Sequence, residues 1–277
     1  MFLGHDHVIE PPVPSHADPV PGGRAEAARL RRLRRELAGA VDRQELTLHW
    51  QPRVTLGTGE RIGFEALLRW PRAHGAPMPP GSFLSLAEDA GLTGRLGGWV
   101  LAEACRAATR WRQPWQVSVK LSGQQIAEGT LPAQITAALE ASGLEPGRLQ
   151  LELSESALPA IDLEALLALS AARDLGVGLS LDNFGIGVGS LAMLKRLPLT
   201  AMKLDHSLVR TLLFERESAA IVRAAAGAGR ALGLTVIACG IEKPEQVRFL
   251  AACGCQQGQG FLFGRPQPAS ALDLSPT

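Results

Sequence analysis

The chain has 277 residues, 46% hydrophobic and 20% charged, enough to bury one large α/β core or two smaller ones. A formal net charge of +1 removes any global electrostatic argument for nucleic acid or an acidic membrane as partner. The four cysteines (Cys105, Cys239, Cys253, Cys255) lack CxxC pairing, and no apolar run reaches the ~20 residues that span a bilayer, a pattern expected of reduced thiols in a cytoplasmic protein.

The opening stretch, MFLGHDHVIEPPVPSHADPVPGG, is rich in proline and has no periodicity. We expect a disordered leader over 1–23, one domain over 24–270 and a short tail over 271–277. From Arg24 a helix is predicted, with Leu30, Leu33, Leu37 and Val41 as its apolar stripe and Arg29, Arg31, Arg32, Arg34 and Arg35 as a solvated face. Strands over Leu46 to Pro52 and Gly59 to Trp70 make a hairpin around Gly57-Thr58-Gly59. Helical patterns follow over 81–90 and 96–112.

The later chain repeats one theme. Short strands at VSVKLS (117–122), LQLEL (149–153), VGLSLD (177–182), TAMKLD (200–205) and LTVIAC (234–239) end in a polar residue and a turn. A last short strand leads into QGFLF (259–263). Helical stretches over 131–142, 162–175, 189–196, 215–232 and 244–252 separate them. Eight strands alternating with helices predict a TIM-like (β/α)8 barrel of the α/β class. The competing doubly wound sheet would place a glycine-rich phosphate loop after the first strand, and the sequence has none there.

Parity within the strands carries the functional argument. Leu151 and Leu153 oppose Gln150 and Glu152; Leu179 and Leu181 oppose Ser180 and Asp182; Met202 and Leu204 oppose Lys203 and Asp205. Val117, Val119 and Leu121 oppose Lys120, and Phe64, Ala66 and Leu68 oppose Glu65, Leu67 and Arg69. Helices cover a barrel outside, so the fully apolar phase faces outward and the mixed phase inward. Glu65, Lys120, Glu152, Asp182 and Lys203 are then expected to meet in one mouth at the carboxyl ends of the strands. Lysine is a sparing choice here: only four of the 28 Lys and Arg residues are lysine.

At these residues the chain resembles the EAL domain family, bacterial phosphodiesterases that open cyclic di-GMP to the linear dinucleotide. The matching stretches run in order from WQP (50–52), GFEALLRW (63–70) and AEDAGL (87–92) through LELSES (151–156), LDNFGIGVGSL (181–191) and LKRLP (194–198) to MKLD (202–205), GIEKPEQ (240–246) and QGFLFGRP (259–266). The resemblance implies a TIM-like barrel with an antiparallel first strand, and Mg²⁺ or Mn²⁺ held by inward oxygen ligands that activate a water. It implies Glu65, Glu152 and Asp182 as metal ligands and Lys203 as the catalytic lysine beside the water. It further implies Gln259 at the site, Glu155 as a brace for the following loop, and Gln51, Leu68, Arg69, Asp205 and Glu242 as nucleotide contacts.

Three positions depart from the family pattern: VNLS reads VKLS at Lys120, DDFG reads DNFG at Asn183, and AEGVE reads ACGIE at Cys239. In the loop, Ile186 and Val188 replace Thr and Tyr. An ammonium at ~4 Å from a doubly charged ion costs roughly 8 kcal/mol at an effective dielectric near 20. A protonated thiol suits Mg²⁺ poorly. The expectation is therefore a site without resident metal, in which Lys120, helped by Lys203, stands where the ion would stand. Three functions remain open: a cyclic di-GMP receptor that does not hydrolyse its ligand, a protein-interaction module that has lost the nucleotide, and a residual metal-dependent phosphodiesterase. A homodimer or another protein partner is compatible with each. Nucleic acid and membrane are not expected partners.

Overall fold

The computed structural model describes residues 23–71, 80–185, 191–272 and 274. The leader and the loop positions Ile186 and Val188 lie outside the described residues. The described residues open with α1 (Gly23–Ala40) and enter the sheet through β1 (Thr47–Thr55) and β2 (Arg61–Arg69). Helices α2 (Pro80–Asp89) and α3 (Thr93–Ala108) lead to β3 (Gln116–Leu121), followed by α4 (Gly123–Ala127) and α5 (Leu131–Ser142). Next come β4 (Leu149–Ser154), α6 (Leu163–Asp174), β5 (Gly178–Phe184), α7 (Leu191–Arg196) and β6 (Ala201–Leu204). The remainder is α8 (His206–Thr211), α9 (Arg216–Ala231), β7 (Thr235–Cys239), α10 (Pro244–Ala252), β8 (Gln257–Gln259) and β9 (Gln267–Pro268).

Strands β2 to β8 run parallel, each to the next. Strand β1 closes the barrel by pairing antiparallel with both β2 and β8. The predicted barrel and its antiparallel first strand are both present. Closure places Gln51 opposite Glu65 on one side of β1 and Arg53 opposite Gln259 on the other. The short β9, which the sequence did not announce, pairs outside this ring with Trp50 and His49 of β1.

The apolar phase lies between strands and helices, as the parity predicts. Val117, Val119, Leu149, Leu151, Leu179, Leu181, Met202 and Leu204 are all essentially inaccessible. Over the hairpin, Trp50 and Phe64 meet Trp111 edge-on, with ring centroids 5.3 and 5.1 Å apart. Helix α1 buries Leu33, Leu37 and Ala40, while Leu30 of the expected stripe is exposed. Arg31, Arg32 and Arg35 form the solvated face, and Arg34 reaches Asp89 at 3.1 Å. Leu274 is buried, and its carbonyl accepts from the Arg112 amide at 2.9 Å.

Two helices escaped the periodicity because caps rather than apolar faces define them. Ser122 accepts from the Gln125 amide at the start of α4, and Asp205 Oδ1 accepts from the Ser207 amide at 2.7 Å at the start of α8. Helix α3 begins at Thr93, one turn before the expected Leu96, and ends at Ala108 rather than Arg112.

Where β8 leaves the barrel, a Cβ on Gly260 would lie 2.1 Å from the Ile241 carbonyl oxygen and 2.2 Å from its amide nitrogen. The Ile241 amide and carbonyl are already engaged with this segment, bonding Gln259 and Leu262. Neither backbone can yield without breaking that pairing. Gly260→Ala is expected to lower stability by about 2 kcal/mol in chemical denaturation; an unchanged midpoint would contradict the close approach.

Candidate functional site

Five inward residues from five strands converge as the parity predicts. Glu65 (β2), Lys120 (β3), Glu152 (β4), Asp182 (β5) and Lys203 (β6) form one ion cluster. Lys203 Nζ lies 2.9 Å from Glu65 Oε2, 2.6 Å from Glu152 Oε2 and 3.6 Å from Asp182 Oδ1. Lys120 Nζ bonds Asp182 Oδ2 and lies 3.5 Å from Glu65 Oε1 and 3.7 Å from Glu152 Oε2. The two ammoniums differ in setting. Lys203 is 1% exposed, whereas the Lys120 side chain keeps 47% of its surface and lies on the open side of the cluster.

A polar layer supports the cluster from below. Arg53, 1% exposed, donates to Gln150 Oε1 and, at 2.7 Å, to Gln116 Oε1, near the amino ends of β4 and β3. Sequence reasoning missed this residue. The signal was available: Arg53 follows Gln51 by two along β1 and so shares its face. Arg53, Lys120 and Lys203 set three positive charges against the carboxylates of Glu65, Glu152 and Asp182. Buried charge is tolerated when it is paired in this way.

Titration reflects that balance. Burial pushes the Glu65 pKa upward, but the Lys203 and Lys120 ammoniums, with hydrogen bonds from Lys203 and Gln259, outweigh it and hold the carboxyl below its usual range. For Glu152, burial and the Glu65 charge prevail over both lysines, and its pKa is raised. Burial disfavours the Lys203 ammonium, yet Glu152, Glu65 and Asp182 together raise its pKa well above the ordinary value. Lys120 is raised in the same way, against its own desolvation, by Glu65 first. Burial pushes the Cys239 thiol up to about 12, so at neutral pH it is protonated.

The remaining predicted residues fall into three groups. Gln259 joins the cluster directly: its Nε2 donates to Glu65 Oε2 at 2.8 Å and to Gln51 Oε1 at 2.9 Å. Cys239 sits level with Gln259 in the β7–β8 register. Leu68 and Arg69 line a cavity of about 370 Å³ beside the cluster, together with Lys120, Leu84, Leu96 and Val100. The others stand apart. Asp205 lies just past β6, where its carboxylate caps α8 and meets His206 Nδ1 at 3.3 Å. Glu242 is exposed beyond β7.

Glu155 Oε2 accepts from the Gly185 amide at 3.1 Å, which ties the end of β5 to the turn after β4. Asn183 adopts φ 60°, at the register irregularity between β5 and β6. Asparagine is among the few side chains that tolerate this left-handed backbone. Asn183 is therefore suited to the backbone there.

Glu65, Glu152 and Asp182 are of the right chemistry for a hard divalent ion. As arranged, though, five of their six oxygens face an ammonium, and no group of three or more His, Cys, Asp or Glu among the described residues is disposed as a metal cage. The present arrangement does not fit a resident Mg²⁺ or Mn²⁺. All four cysteines are free thiols.

A closed TIM-like barrel with an antiparallel first strand and acids at its mouth defines the class. Comparison gives the family: the EAL domain profile matches residues 34–266, and the chain belongs to that family. It is 41% identical over 252 residues to the bifunctional diguanylate cyclase/cyclic di-GMP phosphodiesterase MucR of Pseudomonas aeruginosa, covering 90% of this chain and 37% of MucR. It is 36% identical over 240 residues to the cyclic di-GMP phosphodiesterase PdeR of Escherichia coli, covering 86% of this chain and 36% of PdeR. The chain thus spans little more than a third of the length of these relatives. A solved structure of the MucR phosphodiesterase in complex with c-di-GMP superposes with a TM-score of 0.82 at 41% identity, over 87% of this chain and 99% of that one. Among the described residues no helix is long and apolar enough to cross a membrane.

Lys203 is the more buried of the two ammoniums, so its removal tests the charge balance. Lys203→Met is expected to cost about 3–5 kcal/mol in denaturant unfolding. Adding Glu152→Leu should recover roughly half of that loss, because it removes the carboxylate left unpaired. A Lys203→Met protein as stable as the parent would contradict the balance.

Proposed function

We propose that this chain acts in cyclic di-GMP signalling as a receptor domain that binds the dinucleotide without hydrolysing it. The observation that carries the reading is the Lys120 ammonium among Glu65, Glu152 and Asp182. Phosphodiester hydrolysis at such a site needs a divalent ion to hold the phosphate and lower the pKa of the attacking water. An ammonium supplies charge but cannot lower the pKa of a coordinated water. Under this reading the acids are retained as a scaffold, no Mg²⁺ or Mn²⁺ is resident, and the domain works in the cytoplasm.

Binding has independent support. The cavity beside the cluster falls within the 300–1,000 Å³ range of ligand pockets. Leu68, Leu84 and Leu96 offer an apolar wall for a base, and Arg69 and Lys120 offer two cations for phosphate oxygens. MucR has been solved with c-di-GMP on the same fold. A homodimer draws support from Phe214 and Ile221, which are exposed.

The second reading, metal-dependent hydrolysis, is favoured by the retained Glu65, Glu152, Asp182, Lys203 and Gln259, and by the phosphodiesterase names of MucR and PdeR. One experiment separates the two. Calorimetric titration with cyclic di-GMP is run in Mn²⁺ and in EDTA, with the nucleotide analysed chromatographically afterwards. We expect saturable binding that EDTA does not abolish, no linear dinucleotide, and affinity at least ~10-fold weaker in Lys120→Glu. Linear dinucleotide formed in Mn²⁺ and lost in Glu65→Ala would establish the phosphodiesterase instead. No binding under either condition would leave the interaction module.

A further inference from the structure

Helices α3 and α5 pack side by side on the outside of the barrel, and a groove of about 460 Å³ lies between them. Every residue lining it belongs to one of these two helices. Gly98, Ala102, Ala137 and Ala141 supply small side chains, and Trp99, partly buried, is the single aromatic ring among the lining residues. Solvated helix faces elsewhere in the molecule carry charge: α1 exposes Arg31, Arg32 and Arg35, and α9 exposes Arg216, Glu217 and Arg223. Helix α5 has Glu140 as its only charged residue and exposes Ala133, Ala137 and Ala141. An outer face of alanines beside a tryptophan has the composition of a covered surface.

The chain itself contains a segment that fits. Residues 1–22 precede α1, and five of the 19 prolines fall among them: Pro11, Pro12, Pro14, Pro19 and Pro21. Within residues 8–14, VIEPPVP, three prolines alternate with Val8, Ile9 and Val13. Proline fixes extended backbone in advance, so proline-rich segments dock in aromatic-lined grooves at low entropic cost. Charge agrees with this choice. The leader has three acids, Asp6, Glu10 and Asp18, and no lysine or arginine, whereas α3 carries Arg95 and Arg106 against the single acid Glu103.

The tether is long enough. Arg95 Nη1 donates to the Ala38 carbonyl at 2.8 Å, which fixes the carboxyl end of α1 one helical turn from Gly98. From Ala38 back to Gly23 the helix measures about 23 Å at ~1.5 Å per residue. Residues 8–14 precede Gly23 by nine to fifteen positions. As extended proline-rich chain at ~3.1 Å per residue they reach back about 28–46 Å.

We propose that residues 8–14 lie in the α3–α5 groove of their own chain, with their prolines and branched apolar side chains against Trp99. The opposite face of α3 contributes Leu96 and Val100 to the cavity beside the ion cluster, so the segment is seated on the helix that walls that cavity. The groove and the cavity share no lining residue, and the placement stands whether or not cyclic di-GMP binds.

Solution NMR of the full chain tests the placement. Five tryptophans give five indole signals, and Trp99→Phe assigns the one that matters. In the parent chain we expect Overhauser contacts from the Trp99 indole to proline, valine and isoleucine protons of residues 8–14, unchanged on dilution. Replacing Pro11, Pro12 and Pro14 together by Gly, or Val8 and Ile9 together by Asp, should abolish those contacts. The Trp99 signal should shift in both variants while the other four indoles stay in place. These substitutions fall outside the described fold, so they decide the matter even if the complementary groove variant, Ala137→Arg, fails to fold. A folded Ala137→Arg chain should lose the same contacts. A Trp99 signal identical in the parent and both leader variants would overturn the placement. Contacts that fade on dilution would overturn it too, by assigning the groove to a second copy of the chain.

Discussion

The site depends on one physical constraint: three carboxylates cannot share the mouth of a barrel unless positive charge joins them. Here that charge is carried by side chains. Lys203 holds Glu65 and Glu152 from within, Lys120 holds Asp182 from the open side, and Arg53 lies beneath them among glutamines. Three acids thus face three cations across the barrel mouth. The opposite titration shifts of Glu65 and Glu152 follow from the same constraint: the two ammoniums outweigh burial at Glu65, whereas burial and the Glu65 charge outweigh them at Glu152.

The fold converts short sequence intervals into this geometry. Each parallel strand points alternate residues into the barrel, so one ionisable residue per strand near its carboxyl end suffices to build a ring. The antiparallel β1 adds what a parallel strand could not in the same register: it sets Gln51 opposite Glu65 while bringing Arg53 opposite Gln259. Gln259 can then donate to Glu65 and Gln51 together. The family resemblance and the charge geometry thus bear on separate points. Shared sequence with MucR and PdeR fixes the architecture, while the ion cluster around Lys120 and Lys203 is read from this chain's own geometry.

Much of this was legible in the sequence because strand parity has a strict period of two. VSVKLS, LQLEL, LSLD and MKLD each name their inward residue without reference to tertiary structure, and the structure brings those residues together. What stayed hidden has physical reasons. Helices α4 and α8 are five and six residues long, too short for an apolar stripe, and are set by Ser122 and Asp205 as caps. Strand β9 is two residues paired to β1 across some 217 positions of sequence, with no local signal. Arg53 was overlooked because the apolar pattern of β1 was followed only to Pro52, whereas pairing with β2 and β8 carries the strand on to Thr55. The division of carboxylate oxygens between the two lysines belongs to side-chain geometry and has no sequence signature.

The scarcity of lysine makes the central claim directly observable. With only four lysines in the chain, a ¹⁵Nζ-detected spectrum resolves each ammonium, and Lys→Arg variants assign them. If side chains fill the cluster, Lys120 and Lys203 give slowly exchanging ammonium signals that an excess of Mg²⁺ or Mn²⁺ neither shifts nor broadens away. A Lys120 signal that exchanges like that of a solvated lysine, or that is displaced stoichiometrically by either ion, would show that the acids await a metal.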